Sequence, residues 1–127
     1  MVFAVDFDGT IVEHQYPYIG NDVPGSFETL IELQDQGHDL ILWTVRIGKH
    51  LKDAVDYCKQ MGLEFIGVNE NPDQKYWNGS PKAYAQIYID DAALGCPLIT
   101  PKDKNRRPYV DWVRVRTQLN MFPLKST

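Results

Sequence analysis

The sequence is poor in the residues that build disulfide frameworks and zinc sites. Its 127 residues include two cysteines, Cys58 and Cys96, and three histidines, none of them at a metal-ligand spacing. We therefore expect free thiols in a reducing compartment, and surface positions for the histidines. No apolar run approaches the length of about 20 residues that a membrane span needs, and no signal peptide is visible. These absences predict a cytoplasmic protein.

An excess of basic charge is also missing. The 13 lysines and arginines are outnumbered by 17 acidic residues, which gives a formal net charge of −4. This balance argues against a general nucleic-acid binder or a membrane-surface binder. The basic residues Lys102, Lys104, Arg106 and Arg107 are therefore expected to form a solvated loop. Because the chain contains no repeats or linkers, residues 1–127 are predicted to form a single domain.

Short apolar runs alternate with helical patterns along the chain. The strand-like runs lie at residues 2–5, 39–44, 64–69, 85–89 and 96–100, the last a possible edge strand. The helical patterns lie at residues 24–37, 51–61 and 109–121. Such alternation is typical of a parallel sheet with right-handed crossovers. The sequence predicts an α/β fold, a three-layer α/β/α Rossmann-like domain with a central parallel sheet of about five strands.

Residues 2–10, VFAVDFDGT, carry the most informative pattern. An apolar strand runs into Asp6 and Asp8, two carboxylates that would repel each other by about 4 kcal/mol when 4 Å apart in an effective dielectric of 20. A divalent cation would offset this repulsion. Gly9 allows a positive φ or a close approach to a ligand, and the hydroxyl of Thr10 can lock the turn. Ligands of open α/β sheets bind at such strand ends.

Polar residues also stand at the ends of two further strands. Thr44 ends the second strand, Asp90 and Asp91 follow the fourth, and Lys82 precedes the fourth. The carboxyl ends of parallel strands share one edge of the sheet, so these side chains can meet in one pocket. Hard oxygen ligands suit Mg²⁺, and carboxylates, a metal and a lysine together suit phosphoryl transfer. Arg46 points toward the same edge, either as a phosphate contact or as a solvated residue at a helix start.

These motifs resemble, in order and spacing, the four motifs of the haloacid dehalogenase-like (HAD) superfamily of hydrolases. The matching stretches are DFDGT at residues 6–10, LILWT ending at Thr44, Lys82, and YIDD ending at Asp91. The resemblance covers nearly the whole chain. It implies a Mg²⁺-dependent phosphatase that hydrolyses phosphoric monoesters, because an aspartate at position 8 is similar to the phosphatases of the superfamily rather than the dehalogenases.

The resemblance also implies roles for the motif residues. Asp6 would be the nucleophile that forms an aspartyl-phosphate. Asp8 would protonate the leaving group, later activate water, and reach Mg²⁺ through its backbone carbonyl. Thr44 would hydrogen-bond the phosphoryl group, and Lys82 would pair with that group and with Asp6. The implied metal ligands are Asp6, Asp8, Asp90 and Asp91, the last direct or water-mediated. Together with the interpretation of the residues themselves, this resemblance predicts phosphate- and substrate-binding roles for Gly9, Thr10, Thr44, Arg46 and Lys82.

The segments that carry cap domains in this superfamily are short here, and a flap, helices and loops fill them. The resemblance is therefore to the capless type. Without a lid, water must be excluded by a large substrate, a neighbouring subunit of a homo-oligomer, or loops such as 69–80. The expected partner is a phosphorylated substrate, either a small molecule or an exposed phosphate on a macromolecule.

Two other functions fit parts of the pattern. A HAD-like fold could be retained as a non-catalytic binding or regulatory protein. A phospho-accepting receiver module is also a small α/β domain with acids, a hydroxyl residue and a lysine at one sheet edge. In receivers, however, adjacent acids follow the first strand and the phospho-accepting aspartate ends the third. Here the third strand ends in Asn69 and the adjacent acids follow the fourth.

Overall fold

Four short strands form a parallel sheet in the computed structural model, which describes residues 1–124 of the chain. They are β1 (Val2–Val5), β2 (Asp39–Leu42), β3 (Gly67–Val68) and β4 (Ile87–Ile89). Their order in the sheet is β3-β2-β1-β4, with all neighbours parallel. The predicted α/β class with a central parallel sheet is confirmed.

The helices bury one face of this sheet. α1 (Ser26–Asp35) connects β1 to β2, α2 (Gly48–Gln60) connects β2 to β3, and α3 (Trp112–Gln118) lies near the C-terminus. Their apolar stripes contribute buried side chains to the same core cluster as β1 and β2, among them Leu30, Leu33, Ala54, Cys58, Trp112 and Val115. None of the helices in residues 1–124 is long and apolar enough to cross a membrane.

The other face of the sheet is covered by the connection from β3 to β4. Strand alternation and register place Ile41 and Tyr88 on this face. The connection contains a short 3-10 helix, Pro72–Tyr76, whose Gln74 side chain is buried. The hydroxyl of Tyr88 donates to the carbonyl of Ala83 in the same connection. The two faces are therefore covered unequally, by α-helices on one side and by a folded loop on the other.

The structure corrects the expected fifth parallel strand at residues 96–100. Within that stretch, β5 (Leu98–Ile99) pairs antiparallel with β6 (Tyr109–Val110) and forms a separate two-stranded sheet. The last helix consequently begins at Trp112 and not at residue 109. The Asp111 side chain sets this start, because it accepts the backbone N–H of Arg114 and caps the helix.

The strand order reverses at β1. The chain passes from β1 to β2 and β3 on one side and then crosses to β4 on the other side. Ligand crevices of open α/β sheets form at the carboxyl ends of strands at such a switch point. The backbone N–H of Asp6 donates to the carbonyl of Ile89 at 2.9 Å, so the pairing of β1 with β4 continues to this edge. The topology therefore brings the residues after β1 next to those after β4.

Candidate functional site

Three carboxylates from two strand ends converge at the switch point. Asp6, Asp90 and Asp91 each offer one oxygen, and these oxygens lie within 4.8 Å of one another. Burial raises the pKa of Asp6 to about 8, and its hydrogen bond with Asp91 and the charge of Asp90 add to this effect. Burial also raises the pKa of Asp90. A hard cation among the oxygens would offset this repulsion, so the donor set fits Mg²⁺.

Thr10 and Gly9 hold the backbone that presents Asp6. The Thr10 hydroxyl donates to Oδ2 of Asp6 at 2.9 Å and accepts the backbone N–H of Asp91 at 3.2 Å, which ties the ends of β1 and β4 together. Gly9 has a φ of +84°, and a Cβ at this position would lie 2.4 Å from Oδ2 of Asp91 and 2.1 Å from Nε2 of His14. Both the backbone conformation and the crowding require glycine here.

His14 belongs to the site, although a surface position was expected for it. Its Nε2 lies 2.7 Å from Oδ2 of Asp91, and the two side chains are mostly buried. The two residues are 77 positions apart, and no motif spacing connects them. The bridge that pairs Asp8 with Val12 folds the segment after the DFDGT motif back toward the site, and this places His14 there.

Asp8 is bound by a buried arginine. Nε and Nη2 of Arg46 donate to the two carboxylate oxygens of Asp8 at 2.8 and 2.7 Å, which makes a bidentate ion pair. The remaining N–H groups of Arg46 donate to the backbone carbonyls of Pro17, Tyr18 and His50. This arrangement differs from the phosphate contact predicted for Arg46, because all five guanidinium donors already have protein acceptors. Arg46 therefore positions Asp8 and the segment around Pro17.

Thr44 is held at the cleft by an asparagine. The Asn69 side chain accepts the backbone N–H of Thr44 and donates to its carbonyl, both at 2.7 Å. The Thr44 hydroxyl oxygen accepts the backbone N–H of Arg46 at 3.1 Å, which orients the hydroxyl proton toward another acceptor. Asn69 has a φ of 56°, a left-handed conformation that asparagine tolerates better than most residues. This positioning role of Asn69 was not apparent from the sequence.

Lys82 is not paired with Asp6. The residue is exposed, and its ammonium nitrogen lies 5.5 Å from the ring centroid of Tyr88. The ion pairs formed within residues 1–124 do not include one between Lys82 and Asp6. The neighbouring Pro81, by contrast, lines a cleft of about 370 Å³ together with Asp6 and Thr44. The structure thus places Lys82 beside the site without the predicted contact to the nucleophile.

Two residues of the C-terminal segment, Val110 and Trp112, hydrogen-bond to the backbone of the DFDGT loop. The indole N–H of the buried Trp112 donates to the carbonyl of Thr10 at 2.8 Å. The backbone N–H of Val110 donates to the carbonyl of Gly9 at 3.0 Å. Both contacts come from the region in which the antiparallel pair replaces the expected strand and helix start. This region therefore supports the site although it carries none of its motifs.

Four acids, Asp6, Asp8, Asp90 and Asp91, line a second cleft of about 550 Å³, which adjoins the first. Its volume lies in the range of small-molecule sites. Thr44 and His14 line the same cleft. Four further lining residues were not expected from the motifs: Tyr16, Val45, Ala92 and Arg107. The cleft thus combines an acidic cluster with apolar and basic surface.

The raised pKa of Asp6 predicts that the metal-free protein loses stability as the pH rises. The ordinary pKa of an aspartate, which applies to the unfolded chain, is 3.8, whereas that of Asp6 in the folded state is about 8. Between these values the folded state keeps a proton that the unfolded state has lost, so the free energy of unfolding falls with increasing pH. We expect the melting temperature in EDTA to be several degrees higher at pH 5 than at pH 8. The Asp6→Asn variant should flatten this slope, and an equal slope in both proteins would contradict the prediction.

Comparison with known proteins shows similarity to a solved structure of a conserved protein from Bacteroides thetaiotaomicron. The sequence identity is 39%, and the TM-score is 0.77. The similarity covers 94% of this chain and 89% of that protein. No family model and no curated protein matches the chain. The shared fold thus extends over nearly the full length of both chains.

Proposed function

The chain belongs to the same family as the conserved Bacteroides thetaiotaomicron protein, and we propose that it is a cytoplasmic Mg²⁺-dependent phosphatase of the capless HAD type. The observation that carries this proposal is the convergence of Asp6, Asp90 and Asp91 at the switch point of a parallel sheet. The proposed reaction is the hydrolysis of a phosphoric monoester through an aspartyl-phosphate on Asp6. The connections from β1 to β2 and from β2 to β3 each contain one α-helix and otherwise loop, which supports the capless type.

The residues at the switch point fit a magnesium site in number and kind. Asp6, Asp90 and Asp91 supply carboxylate oxygens, and the backbone carbonyl of Asp8 is a further candidate ligand. Mg²⁺ is bound by few protein oxygens and keeps several waters, so this small donor set is sufficient. When bound, the ion would neutralise charge on the phosphoryl oxygens.

Asp6 begins the reaction as the nucleophile. One of its carboxylate oxygens attacks phosphorus, and the bond between phosphorus and the leaving-group oxygen breaks. The hydrogen bond from Thr10 fixes the orientation of the carboxylate for this attack. The hydroxyl proton of Thr44 is available to a phosphoryl oxygen, because its own oxygen accepts from the backbone of Arg46. The leaving oxygen takes the electron pair of the broken bond and a proton from Asp8.

Asp8 completes the cycle as the proton acceptor. Its two oxygens accept hydrogen bonds from Arg46, which hold the carboxyl group in place to take a proton from water. The water oxygen attacks phosphorus, the bond between phosphorus and Asp6 breaks, and inorganic phosphate leaves. The proton that Asp8 gains in this step is the one it donates to the next leaving group, so protons balance over one turnover.

The proposal is tested by a phosphatase screen in the presence of Mg²⁺. The substrates are sugar phosphates, nucleotides, phosphopeptides and end-phosphorylated oligonucleotides, and the product measured is inorganic phosphate. We expect turnover of at least one class, loss of turnover in EDTA, and recovery when Mg²⁺ is restored. The absence of turnover with all four classes would contradict the proposal.

Magnesium binding can be measured without any substrate. A ligand that binds only the folded state raises the melting temperature, so Mg²⁺ should stabilise the wild-type protein. Asp90→Asn removes one ligand charge and should abolish most of this increase. Asp35→Asn serves as the matched control, because Asp35 is exposed at the end of α1 and lies outside the cleft. An equal increase in the wild-type protein and in Asp90→Asn would contradict the assigned metal site.

A further inference from the structure

Arg107 lies at the acidic cleft although it belongs to the basic loop that was expected to be solvated. Among the described residues that line the 550 Å³ cleft, it is the sole arginine or lysine. It forms no ion pair within residues 1–124. Arg46 is different, since it is buried and all its donors have acceptors. The cleft therefore contains one exposed guanidinium with donors available for a ligand.

The preceding residue anchors Arg107 beside the cleft. Nε and Nη2 of Arg106 donate to the two carboxylate oxygens of Glu13 at 2.9 and 3.0 Å. The turn before it is closed by Asp103, which accepts the backbone N–H groups of Asn105 and Arg106. Glu13 is mostly buried and precedes His14, which contacts the acidic cluster. The backbone at position 107 is thus tied to the segment that follows the DFDGT motif.

The proposed reaction determines which part of a substrate can reach Arg107. In phosphoryl transfer, the attacking and leaving oxygens lie roughly in line on opposite sides of phosphorus. Because Asp6 attacks from the half-buried end of β1, the leaving group must extend toward the open side of the cleft. Arg107 is exposed and lines this cleft, so its guanidinium is accessible to the leaving group, and its geometry matches carboxylate and phosphate groups in a bidentate manner.

The other lining residues suit a short carbon skeleton between two anionic groups. Tyr16 and Val45 line the same cleft with 59% and 96% of their surface exposed. The Tyr16 ring is held against His50, with a centroid distance of 5.4 Å, and against the Arg46 guanidinium at 5.2 Å. A cleft of about 550 Å³ has the size of typical small-molecule sites.

We propose that Arg107 is a specificity residue that binds a second anionic group on the leaving-group side of a small phosphate monoester. The substrate class is then a small molecule in which a short carbon skeleton joins the hydrolysed phosphate to a carboxylate or a second phosphate. This inference rests on the proposed phosphatase function and adds a substrate class to it.

The test uses alkyl phosphates of equal length whose far end is a hydroxyl, a carboxylate or a second phosphate. The quantity compared is the ratio of kcat/KM for each anion-ended substrate to kcat/KM for the hydroxyl-ended one. Arg107→Ala should lower this ratio by about 10- to 100-fold, the value of a hydrogen bond to a charged group. Arg107→Lys should lower it less, because one charge remains without the planar fork. Lys102→Ala, in the same loop, should leave the ratio unchanged.

The outcomes show whether Arg107 binds a carboxylate or a phosphate, and they distinguish failure of this inference from failure of the proposed phosphatase function. Whichever anion-ended substrate shows the larger fall in the ratio identifies the group that Arg107 binds. An unchanged ratio in Arg107→Ala, or a preference for a phosphopeptide over every alkyl phosphate, would overturn the inference. If no phosphate is hydrolysed, the proposed function fails by itself. In that case, calorimetry measures the binding of the same ligands to the Asp6→Asn protein in the presence of Mg²⁺. Adding Arg107→Ala to Asp6→Asn should weaken the binding of the anion-ended ligands but not that of the hydroxyl-ended one. Equal weakening of all ligands, or none, would overturn the inference.

Discussion

Asp6→Asn is expected to lose phosphatase activity by several orders of magnitude while it retains the fold. The asparagine amide cannot form an acyl-phosphate with release of the leaving group, so the covalent route through Asp6 is closed. Hydrolysis of phosphate monoesters is among the slowest uncatalysed reactions, and no side reaction in water would mask the loss. The loss should appear in kcat, because the proposed metal ligands Asp90 and Asp91 and the Thr44 hydroxyl remain to bind substrate.

The melting temperature shows whether the lost activity of Asp6→Asn comes from the missing nucleophile or from unfolding. The side-chain carbonyl of asparagine can still accept the hydrogen bond that Thr10 donates to Asp6. The substitution also removes one of three acids whose oxygens lie within 4.8 Å of one another. In EDTA at pH 8, the melting temperature of Asp6→Asn should therefore equal or exceed that of the wild-type protein. Lower stability together with lower activity would indicate a structural defect, and unchanged turnover would remove Asp6 as the nucleophile.

Acid quenching of the wild-type reaction distinguishes the proposed phosphatase from the two alternative functions, a receiver-like module and a non-catalytic binding protein. The substrate is labelled at its phosphoryl group, and the label bound covalently to the protein is measured during turnover. The wild-type protein should carry label only while substrate is being hydrolysed, and Asp6→Asn should carry none. Long-lived labelling of Asp6 without release of phosphate would favour a receiver-like module. Magnesium binding without labelling or turnover would favour a HAD-like fold retained for binding or regulation.

The parallel sheet could be predicted because its signals are local. Each strand is a short apolar run next to turn-forming residues, and β1 meets its acids directly in the sequence. Leu98–Ile99 lies within a stretch predicted as a strand, whereas its partner Tyr109–Val110 has two residues and no strand periodicity of its own. Its pairing depends on tertiary contacts, including the bond from Val110 to the DFDGT loop. The helical pattern at residues 109–121 conceals this strand, because the helix begins only after the Asp111 cap.

The acids of the site could be predicted for a topological reason. Parallel strands bring their carboxyl ends to one edge, so Asp6 and Asp90 had to be close if both strands were in the sheet. The positions of His14 and Arg107 depend instead on loop conformations, which cannot be predicted from sequence motifs. Arg46 was expected at the correct edge, but its partner could not be read from the sequence. The sequence therefore predicts which acids reach the edge, and the structure adds how each is held and which loop residues join them.

The ion pair between Arg46 and Asp8 leads to the second large expected effect. Arg46 is 1% exposed, and its bonds reach Asp8 and the backbone at Pro17, Tyr18 and His50. Arg46→Met preserves much of the apolar stem and removes every one of these bonds. It leaves the mostly buried Asp8 carboxylate without its counter-charge, a change that typically destabilises a protein by about 3–5 kcal/mol. We expect a loss of this size in chemical denaturation at neutral pH.

A double-mutant cycle shows whether the loss comes from the unpaired charge. Asp8→Asn in the Arg46→Met background removes that charge, so the double variant should be more stable than Arg46→Met alone. Arg46→Lys keeps the charge but cannot form the bidentate pair and the three carbonyl contacts, so its stability should lie between those of the wild type and Arg46→Met. If Arg46 were instead a phosphate contact, Arg46→Met would raise KM and leave the free energy of unfolding within about 0.5 kcal/mol, the usual range for a change at an exposed site. Stability thus distinguishes the role observed for Arg46 from the role that its position in the sequence suggested.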